Sequence, residues 1–188
     1  MKYDQVLEEK NAISYLMNVR TLPNKGVTVK IEANNDECEL LTQKHNVSSV
    51  TSLTAELQIL PWKKSGVKIK GDIYSNFVQT CIITLEPLPG FIHEKIDVVM
   101  VPEGSKLAKP KTCEETGEIF IDAEGPDLPE VFHGDVVDIG ALVEEFFELS
   151  LNPYPRKAGA IFQGHGNSEL FEDDKVNPFD ILKKLKDN

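Results

Sequence analysis

The stretch from Leu53 to Ile73 limits the possible folds most strongly, because it predicts a long β-hairpin. Apolar and polar residues alternate in LTAELQI (53–59) and again in VKIKGDI (67–73). A two-residue period is typical of strands that bury one face. The sequence PWKKSG (61–66) between them supplies turn residues, so the two segments are expected to pair as antiparallel neighbours.

Other segments carry the same alternation. VTVKI at 27–31 predicts a half-buried strand, and apolar residues from Ile92 to Met100 share one face of another. The second hairpin strand is expected to continue to Leu85 after a bend or bulge at Gly71. Strands joined in order by short turns predict a curved antiparallel sheet of about five or six strands.

Two helices are expected to cover this sheet, which makes the fold class α+β. Asn34 and Glu37 have capping-box spacing ahead of apolar residues at helical spacing, so a helix is predicted over 35–46. Asp138 is a good N-cap for a second helix over 138–150. Its predicted apolar stripe consists of Ile139, Leu142, Val143, Phe146 and either Leu149 or Ser150.

This pattern fits one domain followed by a tail. Residues 1–162 are expected to form a single α+β domain that contains an acidic loop at 102–135. That loop is expected to include one short strand, over 118–121. Residues 163–188 predict a linker and a short C-terminal helix.

The negative charge of the chain is concentrated in one segment. The formal net charge is −11, and residues 112–150 contain 12 Asp or Glu but no Lys or Arg. Of the 31 acidic residues, the remaining 19 are balanced by 20 Lys and Arg. The negative net charge of the whole chain argues against a generic nucleic-acid binder. The chain outside residues 112–150 is nearly neutral, however, and is compatible with a local basic face.

Several classes of protein are disfavoured by what the sequence lacks. No stretch approaches 18 uninterrupted apolar residues, and the first residues carry no apolar signal core, so a cytoplasmic protein without a membrane span is expected. Cys38, Cys81 and Cys113 are widely spaced, and we expect them to remain reduced. The four histidines are scattered, and nucleophile elbows and phosphate loops are missing, so we predict neither an enzyme nor a cofactor.

Aromatic and basic residues meet at the hairpin. Trp62 lies in the turn beside Lys63 and Lys64, while Lys68 and Lys70 share the exposed face of the following strand. An exposed ring can stack on an unpaired base while neighbouring cations bind phosphates. A Trp that closes the end of the sheet, with lysines that protect an edge strand, explains the same pattern.

The loop LNPYPRK (151–157) is a second place of this kind. Pro153 and Pro155 restrict the backbone around Tyr154, Arg156 and Lys157. Tyr154 is therefore expected to offer a preorganised stacking ring beside the phosphate-binding fork of Arg156.

Acidic residues of the second predicted helix offer a different surface. Glu144, Glu145 and Glu148 are expected to face outward, opposite the apolar stripe. They form either a solvated helix face or a docking surface for a basic protein.

Four segments in order carry a family resemblance that covers nearly the whole chain. They are VRTLPNKGVTVKIEANNDE (19–37), VQTCIITLEPL (78–88), VVDIGALVEEFFELSLNPYPRKAGAIF (136–162) and NPFDILKKLK (177–186). Together they resemble the YceD-like proteins, called large ribosomal RNA subunit accumulation proteins, in the style of the alphaproteobacterial branch. The resemblance implies that residues 1–162 form a YceD-like domain.

The resemblance also implies a cytoplasmic, non-enzymatic factor in ribosome biogenesis. Such a factor would bind precursor RNA of the large subunit, or an early assembly intermediate. The alternative is an acidic adaptor or chaperone for a basic large-subunit ribosomal protein, with no contact to RNA. The candidate RNA-binding residues are Trp62, Lys63, Lys64, Lys68, Lys70, Tyr154, Arg156 and Lys157, and those of the alternative are Glu144, Glu145 and Glu148.

The chain departs from the family at its cysteines. Many YceD-like proteins carry Cys-x-x-Cys where this chain has Cys81 followed by Thr84, and its NPYPRKAG loop contains no cysteine. A structural zinc site needs about four clustered thiolate or imidazole ligands. We therefore expect no zinc site, a proline-braced loop in place of a metal-braced one, and Cys81 packed as a small apolar residue.

Overall fold

The structure, a computed structural model, describes residues 11–108, 111–112, 119–120 and 127–161. The predicted linker and C-terminal helix at 163–188, Cys113 and parts of the acidic loop lie outside these residues. The elements follow in the order β1 (Leu16–Asn18), β2 (Val27–Glu32), α1 (Asn35–Lys44), β3 (Ser49–Trp62), β4 (Gly66–Thr80), β5 (Pro87–Pro102), β6 (Lys111–Thr112), β7 (Ile119–Phe120), β8 (Glu130–Phe132), β9 (Val136–Asp138) and α2 (Ile139–Ser150).

The main sheet has five strands in the order β2-β3-β4-β5-β8. β2 to β5 are antiparallel, as predicted, but β8 runs parallel to the end of β5. The α+β prediction is confirmed, and the sheet is mixed instead of fully antiparallel. The short connections from β3 to β4 and from β4 to β5 force antiparallel pairing. β8 lies near the end of the segment predicted as the acidic loop, far along the chain from β5, and can therefore pair in either direction. Two-stranded sheets are formed by β1 with β9 and by β6 with β7, where a strand was expected.

The hairpin of β3 and β4 is the longest feature of the fold. Trp62 pairs with Gly66 at the turn, and Ser49 pairs with Val78 near the other end. At the usual rise per residue, the 15 residues of β4 span about 45 Å. β4 stops at Thr80, earlier than the predicted Leu85, because the chain turns back over residues 81–86 to begin β5.

The predicted bulge at Gly71 is wrong. Gly71 pairs in continuous register with Leu57 on one side and Ile96 on the other. The register of β3 and β4 shifts elsewhere, between Val50 and Ser52. Glycine is required at position 71 by close approach, since a Cβ there would overlap the carbonyl oxygen of Glu56.

Both helices pack on one face of the sheet and bury its apolar side chains. The capping box of α1 is confirmed, with Asn34 and Glu37 bonding each other's backbone N–H. In α2, Phe147 is fully buried and Leu149 is 72% exposed, so the buried stripe runs through 143 and 147. Phe147 takes this position because its ring packs edge-on between His45 and Phe77. Neither described helix is long and apolar enough to cross a membrane.

Candidate nucleic-acid interface

The side of the sheet opposite the helices is the outer face, formed by the side chains of β2–β5 that alternate with the buried ones. Lys68 and Lys70 lie on it beside buried Ile69, as the alternation predicted. Their ammonium groups share one carboxylate, with Lys68 Nζ 2.9 Å from Asp97 Oδ1 and Lys70 Nζ 3.3 Å from Asp97 Oδ2. Hydrogen bonding to Lys68 in particular holds the pKa of Asp97 below its usual range. Two cations for one anion leave a local positive charge.

Trp62, Lys63 and Lys64 occupy the hairpin turn. Lys63 has a φ of 51°, and its Nζ lies 4.2 Å from the centroid of the Trp62 ring. The ring is half-buried, and a cation covers one of its faces. A base can therefore stack on that face of Trp62 only if Lys63 moves, while both lysines remain exposed for phosphates.

The proline loop packs against the turn at 81–86. Ile82 donates its backbone N–H to the carbonyl oxygen of Pro155 at 2.9 Å, and the Gln79 side chain donates to the carbonyl oxygen of Asn152 at 2.9 Å. Tyr154 is 68% exposed, and Arg156 is exposed as well. These bonds hold the loop against the turn and leave the Tyr154 and Arg156 side chains exposed to a ligand.

The Cys81 thiol forms part of this contact. Cys81 is fully buried, as expected, but it does not pack as a simple apolar residue, because its Sγ accepts N–H groups from Thr84 at 3.4 Å and Lys157 at 3.3 Å. The Lys157 ammonium is in turn bound to Glu86 at 2.7 Å, so it is less available to phosphate than Arg156. Hydrogen bonds from the side chain and backbone of Thr84, then from Lys157, lower the pKa of Cys81 to about 6.

We expect an ionisation near pH 6 in the ultraviolet thiolate absorbance that disappears in Cys81→Ser. Cys38 does not obscure it, because burial raises the pKa of that thiol. An unfolded thiol ionises near pH 8.5, so the Cys81 thiolate stabilises the fold above that pH. This stabilisation is lost as the pH falls through about 6. The measurement is a reducing-buffer titration of both proteins, and identical curves would contradict the assignment.

The predicted RNA-binding residues do not form one site. Trp62, Lys63 and Lys64 lie at one end of the β3–β4 hairpin, whereas Tyr154 and Arg156 lie beside the turn that follows its other end. The length of the strands puts about 45 Å between these ends. They are two separate surfaces, and Lys68 and Lys70 belong with the first.

The prediction that Glu144 faces outward is wrong. Glu144 is only 3% exposed. Its Oε2 accepts the N–H groups of Ala12 at 2.7 Å and Ile13 at 3.3 Å, and its Oε1 lies 2.7 Å from Lys44 Nζ and 3.2 Å from His45 Nε2. Burial opposes ionisation, but these bonds, that of Lys44 first, outweigh it and lower the pKa of Glu144. The carboxylate therefore joins α1, α2 and the N-terminal segment instead of meeting a partner.

Glu145 and Glu148 are exposed, as expected. They line a shallow cavity of about 290 Å³ together with Lys44 and Glu130. Burial, followed by repulsion from Glu145, raises the pKa of Glu130. Of the three glutamates predicted to bind a basic protein, only Glu145 and Glu148 are exposed, and the acidic surface they offer is this cavity.

The sequence prediction missed three aromatic residues on the outer face: Tyr74, Phe91 and His93. The signal was present, because Tyr74 alternates with buried Ile73, and both Phe91 and His93 flank buried Ile92. Tyr74 and His93 meet only through the pairing of β4 with β5, so adjacency in the sequence alone does not group these rings.

Within the described ranges, no three His, Cys, Asp or Glu side chains are grouped in a way that could hold a metal ion. No protein-family model matches the chain, and neither a curated protein nor a solved structure does. The resemblance to the YceD-like proteins therefore stays a prediction from the sequence.

Proposed function

We propose that this protein is a non-enzymatic ribosome-biogenesis factor that supports accumulation of large-subunit ribosomal RNA in the cytoplasm. It does so by binding precursor RNA, or an early assembly intermediate that contains it. The ribosomal context is inferred from the four resembling segments, and direct contact with RNA is inferred from how the fold distributes charge.

The observation that supports RNA binding is the difference in charge between the two sides of the sheet. The described part of the acid-rich segment includes α2, which packs on the covered face. The outer face carries as many cations as anions: Lys30, Lys68, Lys70 and Lys95 against Glu32, Glu56, Asp72 and Asp97. A protein with a net charge of −11 thus has one broad face that does not repel phosphate, with Lys63 and Lys64 at its end.

The cavity beside α2 supports the alternative, an acidic adaptor for a basic ribosomal protein. Glu130, Glu145 and Glu148 lie around it. Burial, followed by repulsion from Glu145, raises the pKa of Glu130, and a cationic partner would relieve that repulsion. The cavity lies beside α2, whereas the hairpin turn connects β3 and β4. Mutations can therefore test protein binding at the cavity and RNA binding at the turn separately.

We expect Lys63→Glu combined with Lys64→Glu to weaken binding of large-subunit precursor RNA about ten-fold, because two phosphate contacts become repulsive. Glu145→Lys combined with Glu148→Lys reverses the same number of charges and is expected to leave RNA binding intact. Filter binding at fixed salt measures both. RNA binding that is unchanged in the lysine variant would contradict RNA contact at the hairpin turn, and a wild type that does not bind RNA would favour the adaptor.

Ultraviolet crosslinking of the tagged protein in growing cells, followed by sequencing of the attached RNA, tests the function itself. Sharp enrichment at one site in the large-subunit precursor is expected. Crosslinks that do not exceed those of an untagged strain would contradict direct binding and favour the adaptor.

A further inference from the structure

Three aromatic side chains lie close together on the outer face, where core packing does not account for them. Tyr74 of β4 and His93 of β5 are cross-strand partners. Their rings stack with centroids 4.6 Å apart and planes 16° from parallel. Phe91 lies on the same face two residues before His93, and it is 62% exposed. Exposing a large ring to water is unfavourable, so this grouping is unlike an ordinary solvated strand surface.

The His93 ring is fixed in place within the protein itself. Its Nε2 lies 3.0 Å from Asp72 Oδ1, and the Tyr74 ring covers one of its faces. In the described ranges, β5 pairs with β8 only at Met100–Pro102, so no described strand flanks β5 on the far side of His93. Another planar ring can extend the stack there with little loss of side-chain entropy.

The surroundings of this stack suit a polyanion with planar groups. Lys95 follows His93 on the same face, and Lys70 lies on the same face of β4 as Tyr74. A protein partner would favour a continuous apolar patch, but Asn76 and Ser52, joined by a 3.0 Å hydrogen bond, interrupt the rings with amide and hydroxyl groups. Stacking rings with adjacent cations are the combination that binds unpaired nucleotides.

We propose that Tyr74, His93 and Phe91 form a stacking platform for unpaired bases of single-stranded RNA, with Lys95 placed to contact its phosphates. This proposal rests on the proposed function, because the platform specifies which part of an RNA binds to the outer face. The bases are bound through their ring faces, so the platform accepts different sequences and requires unpaired ones.

The test is fluorescence anisotropy with a labelled single-stranded RNA of roughly 12 nucleotides, a length within the usual range for such surfaces. Phe91→Ala and Tyr74→Ala are each expected to weaken binding about 5- to 100-fold. Phe91→Trp should retain affinity and Phe91→Leu should lose it, which separates stacking from simple burial. Leu16→Ala removes another exposed apolar side chain, 69% exposed in β1, and should change nothing.

The outcomes distinguish the platform from the function on which it rests. Tight binding by the wild type that is unchanged in Phe91→Ala and Tyr74→Ala would overturn the platform and leave the proposed function standing. If the wild type does not bind RNA, both fail. Duplex RNA is expected to compete poorly because its bases are already stacked, and equal competition would also overturn the platform. Both alanine variants alter exposed side chains, so thermal melts should confirm that they fold.

Discussion

Replacing Glu144 with Gln is expected to lower the free energy of unfolding by about 3 kcal/mol, measured by urea denaturation. The carboxylate accepts two backbone N–H groups through one oxygen and binds Lys44 and His45 through the other. Gln offers one acceptor oxygen and one donor nitrogen in the same volume. Whichever way the amide is oriented, its NH₂ group faces donors in a site that is almost closed to water.

The neighbouring substitution Glu145→Gln is the matched control. It removes the same charge from the same helix at an exposed position, so its effect should stay within about 0.5 kcal/mol. The folded pKa of Glu144 lies below its ordinary value, so its contribution is present above about pH 4.3 and lost as the pH falls further. The stability gap between wild type and Glu144→Gln should therefore narrow in acid. A loss no larger than that of Glu145→Gln would show that this carboxylate does not hold the helices together.

Strand alternation and helix caps were sufficient to predict the central fold. The β3–β4 hairpin, β2, β5 and the capping box of α1 depend on local patterns, and the structure has them where the sequence indicated. The parallel pairing of β8 could not be predicted in this way, because it forms across the acidic loop. Nothing local in EVF at 130–132 indicates its direction.

The site was harder to predict because it depends on which side of an element faces the core. The sequence of α2 is compatible with a buried face that includes Phe146 and with one that includes Phe147. Which of the two faces the core decides whether Glu144 is exposed to water. Phe147 faces the core because it packs against Phe77 and His45. These contacts join distant parts of the chain, so the local sequence of α2 does not predict them. Lys68 and Lys70 were placed correctly because a strand has only two faces and Ile69 between them is plainly apolar.

Gly71→Ala is expected to lower the free energy of unfolding by about 3 kcal/mol, although it adds a single methyl group. That methyl group would overlap the carbonyl oxygen of Glu56, which belongs to the neighbouring strand of the same hairpin. A backbone oxygen in the middle of a paired strand cannot rotate away as a side chain can. β3 and β4 must therefore separate locally, and the central ladder of the sheet is weakened.

Gly104→Ala is the appropriate comparison for this substitution. Gly104 has a φ of +80°, which an L-residue adopts at a cost of about 1 kcal/mol, but a Cβ there would meet no atom within 4 Å. Urea denaturation of both variants therefore separates backbone strain from overlap with the neighbouring strand. Because Gly71 lies between Lys70 and Asp72, separation of the strands should also disturb the contacts of Lys70 with Asp97 and of Asp72 with His93 on the outer face. RNA affinity should then fall in Gly71→Ala and remain unchanged in Gly104→Ala. Equal stability of the two variants would mean that β3 and β4 are not packed this closely at position 71.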